Sequence, residues 1–72
     1  MSQPPRWTLI VLRAWVDTEG MRVRVLGTDS AGEDAETVVG SPEDAAWIVN
    51  LWLSDLAAGT RLGSSADQRR KT

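Results

Sequence analysis

Arg13, Arg22 and Arg24 interleave with Trp7 and Trp15 along two short apolar runs, WTLIVLRAWV and MRVRVLGT. Guanidinium groups attract phosphate or carboxylate oxygens and stack on indole faces. Alternated with aromatics on a sheet, they are one means of holding single-stranded nucleic acid. A second place where chemistry could gather is the acidic group Asp29, Glu33, Asp34 and Glu36. It lacks the D-x-[DN]-x-[DN]-G order and the final bidentate glutamate of an EF-hand. It therefore reads as a solvated loop, and no metal ligand is assigned.

Catalytic machinery is harder to find. The chain has no His, Cys or Tyr. Nucleophiles are limited to Ser or Thr without an evident base, or to Lys71 near the end of the chain, and acid–base work would fall to carboxylates. Gly27, Gly32 and Gly40 match neither a phosphate loop nor a dinucleotide fingerprint. Ser41, Glu43 and Asp44 are accounted for by a helix start. No catalytic, cofactor-binding or metal-binding residue is named, no cofactor is expected, and the chain is read as a non-enzyme. An enzyme or small-molecule carrier with a site between subunits is the weakest reading.

Charge does not favour polyanions. Eight Lys and Arg stand against ten Asp and Glu, a net charge of −2, so no global field draws in nucleic acid or anionic membrane. The Arg/Trp face has no Phe or Tyr and no RNP-type pattern. Single-stranded nucleic-acid binding there is the alternative function rather than the leading one. The arginines are expected to lie along the sheet and reach for acidic neighbours. Three basic residues at 69–71 are too few to argue from.

These side chains must be positioned by a small set of elements. Residues 7–16 are rich in β-branched and aromatic residues and predict a first strand. DTEG, ending at Gly20, suits a type I turn with glycine in the left-handed region. MRVRVLGT, residues 21–28, alternates strictly from Met21 to Val25 and predicts a second strand. Residues 28–34 carry dense turn residues, and 36–40 predict a short third strand. SPED opens a helix, with Ser41 as N-cap, Pro42 at the first helical position and acidic residues at the positive end of the dipole. That helix should run to Ala58 and stop at Gly59. The expected organisation is a flexible arm at 1–5, one β-β-β-α domain at 6–59 and a flexible polar tail at 60–72. The fold class is α+β, a three-stranded antiparallel sheet with one C-terminal amphipathic helix packed on one face.

The turn fixes the register and hence the faces. Val16 should lie opposite Met21, Ala14 opposite Val23 and Leu12 opposite Val25, making with Ile10 an apolar surface for the helix. At 100° per residue, Ala45, Ile48, Val49, Trp52, Leu53 and Leu56 share the arc that should pack there. Two apolar surfaces are then left over. One is a second helix stripe of Trp47, Leu51 and Ala58, among polar residues that include Asp55. The other is the sheet back: Trp7, Leu9, Val11, Trp15 and Leu26, with Arg13, Arg22 and Arg24 between them. A first strand apolar on both faces is typical of a sheet covered on both sides.

Size sharpens the point. A lone core in so short a chain supplies roughly 3–5 kcal/mol, and small scaffolds add a staple. Disulfides are excluded by the missing Cys, and a structural zinc lacks its usual Cys and His ligands, which leaves association as the remaining common staple and unusually good packing as the other option. The leading expectation is a non-catalytic interaction or accessory module that homodimerises through the sheet back, the second helix stripe, or both, with arginines at the rim. A different protein partner, or the chain's own ends folding back, are the other candidates for covering Trp7, Leu9, Val11, Trp15, Trp47 and Leu51. No secretory signal is read in MSQPPRW. AAWIVNLWL is far short of the roughly 20 residues that span a bilayer. A soluble cytoplasmic protein without membrane association is expected. The absence of Cys agrees with a reducing compartment, and seven Arg to one Lys suggest a bacterial, high-GC origin.

Overall fold

The computed structural model describes residues 5–63. Three strands precede one helix: β1 (Thr8–Asp17), β2 (Gly20–Asp29), β3 (Asp34–Val39) and α1 (Pro42–Ala58). Both pairings are antiparallel and the strand order is β1-β2-β3, the small α+β arrangement that the sequence predicts. The arm at 1–5, apart from Pro5, and the tail from 64 to 72 lie outside the described residues.

The hairpin register is the expected one, with Val16 opposite Met21, Ala14 opposite Val23 and Leu12 opposite Val25. Asp17 closes the turn by accepting the Glu19 N–H on Oδ1 at 2.8 Å. Gly20 sits at φ 112°, and among the described residues none other than glycine has positive φ. Thr18 and Glu19 therefore form an ordinary turn whose twist would splay the strands, and the glycine absorbs the mismatch.

Two strands outrun their sequence signal. β2 continues one residue further, to Asp29, and β3 begins at Asp34 rather than Glu36. Thr28 stands opposite Asp34, and its hydroxyl donates to the Asp34 carboxylate. That pair extends the ladder into what reads as a loop.

The helix begins and ends where expected. Ser41 Oγ accepts the Asp44 N–H at 3.1 Å, Pro42 follows, and Gly59 closes the C-terminus at φ 80°. The last turn carries no basic residue of its own. Arg6 supplies the missing positive charge from the approach to β1, donating Nη1 to the Leu56 carbonyl and Nη2 to the Thr60 carbonyl, both at 3.4 Å. A cation there complements the helix dipole.

The core is Val23, Val25, Ala45, Ile48, Trp52 and Leu62, with Ile10, Met21, Ala35, Val39, Val49 and Leu51 packed around it. The helix stands over β2. Trp52 packs directly against Gly27, where a Cβ would come within 2.9 Å of the indole. Only a glycine at that register position lets so large a ring reach the sheet.

Four side chains depart from the sequence reading, for one connected reason. The buried stripe of α1 is Ala45, Ile48, Trp52 and Asp55, so the helix is rolled toward Asp55. Asp55, expected among the outer polar residues, is only 2% exposed. Its Oδ2 accepts the Gly63 N–H at 3.1 Å, and its Oδ1 lies 3.4 Å from the donating Thr60 hydroxyl. The roll brings Leu51 against the core and lifts Leu53 out of it. Residues 60–63 are the cause. Read as the start of a polar tail, they instead form a strap that folds back under the helix and buries Leu62 beside Trp52 and Gly27.

Candidate functional site

β1 is the edge strand on which the uncovered apolar surface gathers. Because α1 stands over β2, the helix-side face of β1 from Leu12 to Val16 is not roofed by any described residue. Leu12 is 54% and Val16 78% exposed, and Ala14 between them is exposed as well. This corrects the expectation that these residues would lie beneath the helix. The space left is an apolar groove of about 540 Å³, floored by Leu12, Ala14 and Met21 and walled by Ala46, Val49 and Leu53 of α1.

The sheet back holds the other predicted site residues on one surface. Trp7, Leu9, Val11 and Trp15 are exposed, Leu26 is half-buried, and Val38 of β3 joins them, an apolar contributor that the sequence reading left out. Its signal was present, since Val38 alternates with Glu36 on β3 and stands opposite Arg24. Trp7 is fixed by the turn beyond β2: its N–H donates to Ser30 Oγ at 3.1 Å, and its carbonyl accepts the Ser30 N–H at 2.9 Å. On the helix, Trp47 is exposed, while Leu51, one turn further on, is partly buried and packs against the margin of the core.

The three arginines share the sheet back and find carboxylates within their own chain. Arg13 stands opposite Arg24, and Trp15 opposite Arg22. Like charges facing each other across a ladder are destabilising. Arg24 escapes this by reaching diagonally to Glu36 of β3, with Nε 3.1 Å from Oε2. Arg22 lies 3.7 Å from Glu19 and donates to the Met21 carbonyl at 3.0 Å. Both pairs are half-exposed, so each contributes ~0–1 kcal/mol. Arg13 has no ion pair among the described residues, and with Trp15 and Arg24 it lines a recess of about 260 Å³.

The acidic group is not a solvated loop. Asp34 and Glu36 are strand residues, and Asp29 is buried. Asp29 Oδ1 accepts the N–H groups of Ala31 at 3.0 Å and Glu33 at 2.9 Å, and Oδ2 accepts that of Leu62 at 3.3 Å. Its carboxyl is held below the usual range, first by the Glu33 N–H. The N–H groups of Leu62 and Ala31 and the charge of Arg6 act in the same direction, against the opposing effect of burial. These bonds organise the β2–β3 turn and anchor the strap. Among the described residues no three His, Cys, Asp or Glu side chains converge as metal ligands. Nor is any described helix long and apolar enough to cross a membrane.

Sequence reasoning missed Asp29, Asp55 and Leu62 as positioning residues. Only Asp55 left a signal. It falls three residues after Trp52, on the stripe shared with Ala45 and Ile48, where an aspartate must find donors if the helix packs at all. Comparison with protein-family models, with curated proteins and with solved structures finds no match.

Proposed function

We propose that the protein is a non-catalytic interaction module that assembles with a second copy of itself. The observation that supports this is where its exposed apolar side chains fall. Of nine exposed large hydrophobic residues among those described, five, Leu9, Val11, Leu12, Trp15 and Val16, belong to β1. Scattered exposed residues are ordinary, but this many on one edge strand, spread over both of its faces, suit an interface. In so short a chain, association also supplies stability that the small core lacks. The reading places the module in a bacterial cytoplasm, on the chain's lack of Cys and its preference for Arg.

Light scattering across a range of concentrations tests this. The expected solution mass is twice 7.9 kDa, retained in high salt because the contact is apolar. Trp15→Ala should weaken it. A chain that stays monomeric at high concentration would overturn the proposal.

A second reading has one observation in its favour, the recess where Arg13 and Trp15 meet without a carboxylate on Arg13. It would hold a phosphate beside a stacked base. Glu19 and Glu36 weigh against it, since they already occupy Arg22 and Arg24. Fluorescence anisotropy with a labelled single-stranded oligonucleotide separates the readings. Nucleic-acid affinity would fall steeply with salt and be abolished by Arg22→Glu, whereas self-association would be only perturbed.

A further inference from the structure

The two edges of the sheet differ in kind. β3 has six residues and carries Asp34 and Glu36, the charges by which edge strands are ordinarily blunted. β1 has ten residues, no proline, and a single charge, Arg13, inside its ends. A long, apolar, unprotected edge is a template for another strand.

The register shows which backbone groups are free on that edge. Asp17 and Gly20 close a two-residue loop, so they form a hydrogen-bonded pair. Antiparallel ladders then alternate. Trp15, Arg13, Val11 and Leu9 direct their backbone groups at β2. Val16, Ala14, Leu12, Ile10 and Thr8 direct theirs outward, and two of them, Leu12 and Ala14, floor the open groove with their side chains.

We infer that β1 pairs antiparallel with β1 of a second copy, about a two-fold axis through Leu12 and perpendicular to the sheet. This inference rests on the proposed self-assembly and specifies its geometry. A perpendicular axis keeps both helices on the same face, so each residue must oppose one of the same parity. With Leu12 opposite itself, Ala14 meets Ile10 and Val16 meets Thr8 of the other copy. On the sheet back, Trp15 meets Leu9 and Arg13 meets Val11. Centring on Arg13 would set two arginines face to face, which is unfavourable. Centring on Val11 or Ala14 would shorten the paired segment. The Leu12 register alone pairs nearly the whole strand without opposing like charges.

The groove supports the same occupant. In the paired sheet the two β2 strands lie three strand spacings apart, about 14 Å. Helices standing over them would be about 14 Å apart, against the 8–10 Å of direct helix packing. Leu53, exposed on the side of α1 that faces β1, projects into the remaining gap from each copy. Leu12, Ala14 and Met21 floor it. The half-open groove of one chain becomes the interior of the pair.

Three variants of the full chain test the geometry by light scattering and by disulfide formation under mild oxidation. Leu12→Pro removes an N–H that faces the free edge and not β2, so the monomer should keep its circular dichroism while its mass falls from twice 7.9 kDa to 7.9 kDa. Leu12→Cys should form an intermolecular disulfide, because facing Cα atoms of a hydrogen-bonded pair lie about 5.5 Å apart. Val11→Cys should not, because its counterpart is displaced along the strand to about 8 Å. A Leu12→Pro chain that keeps the dimer mass, or a dimer that crosslinks at Val11→Cys and not at Leu12→Cys, overturns the edge pairing while leaving self-assembly through the sheet back intact. A monomeric wild type overturns both.

Discussion

Asp29 ties three segments of the chain together with one carboxylate, and removing it measures how much of the fold depends on the strap. Of its three donors, the Leu62 N–H is bonded in a buried setting, while those of Ala31 and Glu33 are partly buried. In Asp29→Ala the two turn amides recover water at a small cost each. The Leu62 amide does not, and hydrogen bonds to charged groups are worth ~1.5–3 kcal/mol net. The sum is roughly 2–4 kcal/mol, comparable with the roughly 3–5 kcal/mol that a chain of this size has in total. Asp29→Asn keeps an acceptor for the turn but presents an NH2 group to Leu62, so it should cost about 1–2 kcal/mol. Urea unfolding followed by tryptophan fluorescence and circular dichroism reads both. Protein concentration must be held fixed, because association raises apparent stability.

The same carboxylate predicts an acid limb. Its pKa is lowered in the folded chain, chiefly by the Glu33 N–H. The folded state therefore binds this proton less readily than the unfolded state, whose aspartates titrate near ~3.9. Asp29 contributes its full share of stability above about pH 4, and that share is lost as pH falls through the lowered folded value. The wild type should lose urea resistance in this range, and Asp29→Asn should show a shallower decline. If Asp29→Ala costs under ~0.5 kcal/mol, or if Asp29→Asn keeps the full acid slope, the strap is not an anchor and this account of the loop is wrong.

Three further substitutions probe the same packing. Gly27→Ala forces a methyl against the Trp52 ring and should cost ~1–3 kcal/mol in chemical denaturation; a neutral result would mean that the indole does not lie where it is described. Leu62→Ala empties the core beneath the ring and should lower stability by about 2–4 kcal/mol, with a red shift in tryptophan emission. Arg6→Ala removes the cation at the helix C-terminus and should cost only ~0.3–1 kcal/mol, a loss that added salt should diminish.

Local chemistry wrote most of the fold plainly into the sequence. The hairpin register follows from alternation and a two-residue turn, and the helix bounds from Ser41, Pro42 and Gly59. The roll of the helix was not legible, because it depends on a contact between distant segments. On a helical wheel Leu51 and Leu53 lie about equally far from Trp52, on opposite sides. Periodicity cannot choose between them. The choice is made by Asp55 meeting Gly63, and a Leu in a polar run at residues 60–63 gives little sign that it will return to the core. The candidate surface was legible in its membership on the sheet back, where alternation alone assigns the face. It was not legible on the helix side of β1, where exposure follows from that same roll.

The strap and the bare edge thus have one cause. Asp55 and Leu62 draw α1 over β2 and seal the end of the sheet near Gly27. What they seal there is left open along Leu12, Ala14 and Val16, because a single helix about 10 Å wide cannot roof a sheet whose three strands span about 10 Å between their axes and also shelter the side chains overhanging both edges. The unroofed edge is the one without blunting charges, and its outward backbone groups include those of Leu12, Ala14 and Val16, whose side chains are bare. Polar and apolar demands of β1 therefore point the same way, toward a neighbouring strand that brings a helix with it. In the proposed pair, a second copy of this chain would supply both in one docking step.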